Sequence, residues 1–172
     1  MKLLFINHHT WSKSVHRATE LARQLVKHGH SVTLMVISDQ NRFLFHESLE
    51  EGVEVIHSPD LLSGRLRTGW DPYCALARLL KLVSTKSEYD LVYLFETRPA
   101  TILPGMVFAK LRGIPMIIDW IDWWGRGGLI TVNRPKWYRY LFGWIETFFE
   151  EQFRRFGKGN TVISKGLFHR AQ

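Results

Sequence analysis

The 172-residue sequence has one cysteine, Cys74, which excludes an internal disulfide and any site built from several thiolates. That count fits a reducing, cytoplasmic setting. No run approaches the roughly 20 apolar residues that a membrane-spanning helix needs. Only four apolar residues, Leu3 to Ile6, follow Met1 and Lys2, far short of a secretory signal core. The Gly-x-Gly-x-x-Gly fingerprint, the P-loop and the Gly-x-Ser-x-Gly elbow are all absent, as are internal repeats and low-complexity tracts. Dinucleotide binding therefore has no support. What is present, 45% apolar and 23% charged residues, is the composition of one globular domain spanning 1–172.

Charge is unevenly placed. The chain carries 23 Lys and Arg against 16 Asp and Glu, for a net +7. From Asn133 to Gln172 there are eight Lys and Arg against three Glu, and ten of the 23 aromatic residues. A basic aromatic region of this kind suits an anionic membrane or a nucleic acid. The alternative is a basic solvent face over a buried aromatic stripe. No nucleic-acid-binding module is recognisable, so a nucleic-acid partner is not expected.

Short β-rich runs alternate with helical periodicity. Strands are predicted at Lys2–Asn7, Ser31–Ser38, Val53–Ile56, Leu91–Phe95, Pro115–Asp119 and Thr161–Ser164. Between them, Ser14 can cap a helix carrying Val15, Ala18, Ala22, Leu25 and Val26, which Gly29 ends. Asp71-Pro72 opens a second helix with Tyr73, Leu76, Leu79, Leu80 and Val83 on one face. A third runs from Thr101 to Arg112. The last begins near Asn133, runs to about Phe156, and carries Trp137, Leu141, Trp144 and Phe148 on one face. This order predicts a Rossmann-like, doubly wound, mainly parallel α/β sheet of about six strands with helices on both faces. Ligands of such sheets bind outside the carboxyl ends of the strands.

Polar and aromatic residues gather at those ends. His8, His9, Thr10 and Trp11 follow the first strand, and Glu96 follows the fourth. The fifth runs into Asp119-Trp120-Ile121-Asp122-Trp123-Trp124, then Gly125, Arg126, Gly127 and Gly128. Carboxylates there can hold or deprotonate a polyhydroxylated acceptor, and indole faces suit sugar rings. The glycines permit close backbone approach. Alternatively, the two Asp cap a turn and the tryptophans fill the core. His8 and His9 have no third ligand at a metal-site spacing, so no metal is expected. Ser164 and Lys165 could reach a phosphate or cap the next helix.

The chain resembles the N-terminal domain of glycosyltransferase family 4, the retaining enzymes of GT-B fold. The resemblance rests on Leu25-Val-Lys-His-Gly-His30 leading into Val32-Thr-Leu-Met-Val36, and on Tyr89-Asp90-Leu-Val-Tyr93 followed by a helix ending Leu111-Arg-Gly-Ile-Pro115. The acidic strand end Asp119 to Asp122 and the helix before Thr161-Val-Ile-Ser-Lys-Gly-Leu167 complete it. It implies sugar transfer from a nucleotide-diphosphate sugar with retained configuration and without a metal or other cofactor. It further implies that this domain holds a glycan or lipid-linked acceptor, while a second domain, absent here, holds the nucleotide sugar. Asp122, with Asp119 as alternate, would orient or deprotonate the acceptor hydroxyl. His8, His9, Trp11, Glu96, Trp123, Arg126 and Gly127 would lie at the donor–acceptor junction, and Ser164 and Lys165 near phosphate. The usual glycine pair of the first loop is replaced by His8-His9-Thr10-Trp11. The sequence stops inside what reads as a new helix, Gly166 to Gln172, as expected of a piece inactive by itself. The competing expectation is a non-catalytic subunit of a split enzyme, recruited to the inner face of a membrane by the basic aromatic region, Phe43-Leu-Phe45, Leu61-Leu62, Arg65 and Arg67.

Overall fold

The computed structural model describes residues 1–11, 16–62 and 69–171. Ser14 and Val15, expected to open the first helix, and Arg65 and Arg67 lie outside them. Seven strands form one sheet in the order β3-β4-β2-β1-β5-β6-β7. They are β1 (Lys2–Thr10), β2 (Ser31–Ile37), β3 (His46–Glu50), β4 (Val53–Ser58), β5 (Leu91–Phe95), β6 (Met116–Trp120) and β7 (Gly159–Val162). All neighbours are parallel except β3, which pairs antiparallel with β4. The strand order reverses between β1 and β5, so the ligand crevice of this fold opens where their carboxyl ends part.

The sheet alternates cleanly between two cores. Leu3 and Phe5 of β1 join Leu34, Val55 and Phe95 beneath α1 (His16–Lys27), which contributes Ala18 and Ala22. Leu4 and Ile6 join Val92, Leu94 and Ile118 on the other face. That face is covered by α2 (Pro72–Ser84) through Leu82, and by α3 (Pro99–Arg112) through Ile102 and Phe108. Next to them lies α5 (Lys136–Gln152), reaching the same core through Phe149 and, in a following 3-10 turn, Phe153.

Several sequence expectations need correction. The edge strand β3 is an addition, because His-Glu-Ser-Leu-Glu carries one apolar residue; Glu51 and Gly52, both left-handed (φ 52 and 83°), turn it back onto β4. Helix α3 begins at Pro99, two residues before the predicted start, and β7 lies two residues earlier than expected. The helix expected from Asn133 to Phe156 starts only at Lys136 as α5, after Pro135, and its last turn is a 3-10 turn at Phe153–Phe156. A separate short α4 (Leu129–Asn133) precedes it, and Pro135, with no N–H to donate, keeps the two apart. A short α6 (Lys165–Ala171) follows β7.

Two helices present faces other than those their apolar spacing picks out. In α2, Tyr73, Leu76, Leu80 and Val83 are exposed while Cys74, Ala75, Arg78 and Leu82 are buried. Arg78 sits inside because its guanidinium donates to Ser58 Oγ (2.9 Å) and to the Ala100 carbonyl (2.8 Å). In α5, Trp137, Leu141, Trp144 and Phe148 are exposed, and the acids Glu146 and Glu150 are buried. The aromatic stripe is therefore a surface, not a core. No helix among the described residues is long and apolar enough to cross a membrane.

Candidate functional site

Strands β1 and β5 end side by side, so His8 and Glu96 meet across the point where strand order reverses. His8 Nε2 lies 3.6 Å from Glu96 Oε2, and the His8 and His9 rings are 4.0 Å apart. Arg98 Nε approaches the same Glu96 oxygen at 3.5 Å. Burial, followed by the neighbouring Arg98 charge, pushes His8 well below the usual histidine range and His9 down to about 4. Both imidazoles are thus neutral near pH 7. Glu96 moves the other way, up to about 7, mainly through burial, with Arg98 opposing and Asp122 reinforcing the shift. Its backbone is left-handed (φ 70°), a conformation held against local preference at the head of a crevice.

The fold supplies a ligand that residue spacing hid. Nitrogens of His8 and His9 and a carboxylate oxygen of Glu96 lie within 4.8 Å of one another. Arg98 contacts the same carboxylate and would oppose a cation there, so the trio reads better as a polar wall of the crevice.

Asp119 and Asp122, three residues apart, occupy opposite environments. Asp119 is fully buried and takes an ion pair from Arg17 of α1 at 2.8 Å, with the Thr161 hydroxyl as a further donor. Tyr93 closes the set through a 2.7 Å contact with Thr161. This carboxylate ties α1 to β6 and β7 and faces away from solvent. Asp122 is exposed at the head of the loop, and its carboxylate has no hydrogen-bond donor among the described residues. Of the two, only Asp122 is open to an acceptor.

The loop after β6 is held from beneath by α5. Glu150 accepts a hydrogen bond from the Gly125 N–H and Thr147 Oγ1 accepts one from Arg126 N (3.0 Å), while within α5 itself Glu146 accepts one from the Tyr138 hydroxyl (2.6 Å). Arg154 places its guanidinium 3.1 Å from the Trp120 ring centre, and Arg98 stacks 5.2 Å from that of Trp124. Trp120 and Trp123 donate their indole N–H groups to carbonyls within the loop. At Gly128 an added Cβ would fall 2.1 Å from the Trp123 carbonyl oxygen, so this tight loop needs glycine there. Gly127 (φ 81°) adopts the left-handed conformation.

These side chains enclose only about 30 Å³, lined in part by Trp70, Glu96, Asp122, Trp124 and Arg154. A sugar ring does not fit that space, so the cleft is a packed floor, and contact falls to its exposed rim of Asp122, Trp123, Arg126 and Gly127. Trp11 is half-buried, with Arg23 5.6 Å from its ring centre. Ser164 accepts from Leu167 N (3.2 Å) and so caps α6, while Lys165 beside it is exposed. Glu146, Glu150 and Arg154 join the site without having been expected there, and Arg98, which follows Glu96 at the strand end, joins it too. Acids four residues apart within an aromatic helix are the one clue the sequence offers to them.

Comparison with known proteins places the chain in a family. No curated protein matches the chain. Among solved structures, MurG of Acinetobacter baumannii superposes with a TM-score of 0.53 at 18% identity, and sucrose-phosphate synthase of Thermosynechococcus elongatus with 0.54 at 15%. Each covers 94% of this chain, which spans 40% and 47% of their respective lengths. At such identities the likeness establishes the fold, that of one half of GT-B glycosyltransferases. The family model described as "Glycosyl transferase 4-like domain" matches residues 14–156. The chain belongs to the glycosyl transferase 4-like domain family.

Proposed function

We propose that this domain binds the acceptor in a glycosyltransferase that moves a sugar from a nucleotide-diphosphate sugar with retained configuration. The observation that carries this reading is the contrast at the β6 end. Asp119 is consumed by Arg17, whereas Asp122 stands exposed among Trp123, Arg126 and Gly127 on a loop braced by Glu150. An exposed carboxylate beside an indole face is a suitable partner for sugar hydroxyls and the apolar face of a ring. Asp122 orients the acceptor hydroxyl; a departing phosphate can itself take the proton. Glu96, its carboxyl raised to about 7 by burial, can hold a proton near neutral pH and so donate or accept a hydrogen bond in the floor beside this rim. His8, His9 and Trp11 border the junction, and Lys165 supplies a cation near the phosphates. The nucleotide sugar is held mainly by a second domain beyond these residues. In the full-length protein, Asp122→Asn should lower turnover at least tenfold with little change in donor affinity. Unchanged turnover would remove Asp122 from the reaction.

A second part of this reading concerns where the acceptor resides. Trp137, Tyr140 and Trp144 project from α5, flanked by Lys136 and Arg139. An exposed aromatic and basic helix face suits the interface of an anionic membrane, and so a lipid-linked acceptor. Co-sedimentation with phosphatidylglycerol vesicles but not phosphatidylcholine vesicles is expected. Binding to neither would retire the membrane part and leave sugar transfer standing.

A further inference from the structure

On another side of the carboxyl-terminal part of α5 from the residues that brace the crevice loop, a groove of about 1000 Å³ runs between α3 and the 3-10 turn. Met106 and Ala109 of α3 form one wall, Ile114 and Met116 lie along it, and Phe148, Phe153 and Phe156 form the other. Three cations, Lys110, Arg155 and Lys158, line the groove, and no acidic side chain does. None of the three is ion-paired or side-chain hydrogen-bonded among the described residues. Phe156 and Phe148 are 63% and 49% exposed, so the apolar surface is open rather than closed over. An open apolar groove of this size with a few convergent charged groups marks a binding site.

We propose that this groove is a binding site for an anionic membrane lipid, taking an acyl chain between α3 and Phe156 and its phosphate at Lys110, Arg155 and Lys158. Charge decides among occupants. A second copy of the chain would bring three like charges against three, and a nucleic acid would leave the aromatic and methionine wall unused. An anionic amphiphile uses both, and methionine side chains adapt to a flexible chain. The inference rests on the membrane part of the reading above and is independent of sugar transfer. It also fits the length of α5, about 25 Å for 17 residues, along which the aromatic stripe runs from Trp137 to Phe148, where it meets the groove. A lipid in the groove would lay α5 along the membrane.

Calorimetric titration with dodecyl phosphate, below its micelle-forming concentration, tests this. The expected result is one molecule bound per chain, with no binding of inorganic phosphate alone. Phe156→Asp, and separately Arg155→Glu with Lys158→Glu, should each weaken binding at least about tenfold; a cation near anionic lipid contributes about fivefold. Circular dichroism confirms that the variants fold, and the charge pair lies on the surface, so it remains informative if Phe156→Asp does not. No binding by the parent protein, or equal binding by folded variants, would overturn the proposal. So would sedimentation showing that Phe156→Asp merely dissolves a dimer. Vesicle binding that survives both variants would overturn the groove and leave the α5 surface intact.

Discussion

Glu96 shows how a single side chain can be at odds with the fold that holds it. Its carboxyl is raised from the ordinary range to about 7, so the folded protein holds a proton there that the unfolded chain has released. Between about pH 4.5 and 7 the folded state therefore binds more protons than the unfolded one, and stability falls as pH rises through that window. Glu96→Gln should stabilise the protein at pH 8 by on the order of 2 kcal/mol and leave it unchanged near pH 4.5, as thermal melting at the two pH values would measure. Asp119, by contrast, has its partner built in, being fully buried and ion-paired with Arg17. Asp119→Asn should cost about 2–3 kcal/mol in urea unfolding, since it leaves a partly buried guanidinium without its counter-charge. An alternate catalytic role for Asp119 and a structural one are equally legible in the sequence. Both acids follow the same strand, and only the position of α1 separates them.

At the scale of elements, strands are legible where helix faces are not. Parallel strands covered on both sides are continuous apolar runs, and β1, β2 and β5 announce themselves in that way. The polar edge strand β3 has no such pattern and is defined by its turn. Helices α2 and α5 misdirect because each is apolar on more than one side, so polar partners decide which side turns inward. Arg78 is drawn in by Ser58 and Ala100, and Glu150 by the Gly125 N–H. No rule that sends charged residues outward would place them there. Removing that brace, as in Glu150→Ala, should expose the loop at 121–128 to hydrogen exchange at least tenfold faster while β1 and β5 remain protected. Gly128→Ala should do the same by another route, forcing the Trp123 carbonyl aside. Equal exchange in both variants and the parent would show that α5 does not hold the loop.

On the scale of the whole molecule, two regions differ in chemistry. The carboxyl edge of the sheet gathers neutral imidazoles, a protonatable Glu96, an exposed Asp122 and indoles, while α5 and the groove beside it face outward with basic and aromatic residues. The fold class and the acidic, tryptophan-rich strand end are legible in the sequence, because both are written in contiguous residues. The crevice wall and the basic groove are not, since they join residues far apart along the chain. The central claim is that this domain presents an acceptor for sugar transfer. Its most direct test is to incubate the full-length protein with nucleotide-diphosphate sugars and a lipid and glycan extract, and to look for sugar addition by mass spectrometry. A single added sugar with the donor's anomeric configuration, and no product from residues 1–172 alone, is the predicted result. No transfer from any donor, or transfer catalysed by residues 1–172 alone, would contradict it.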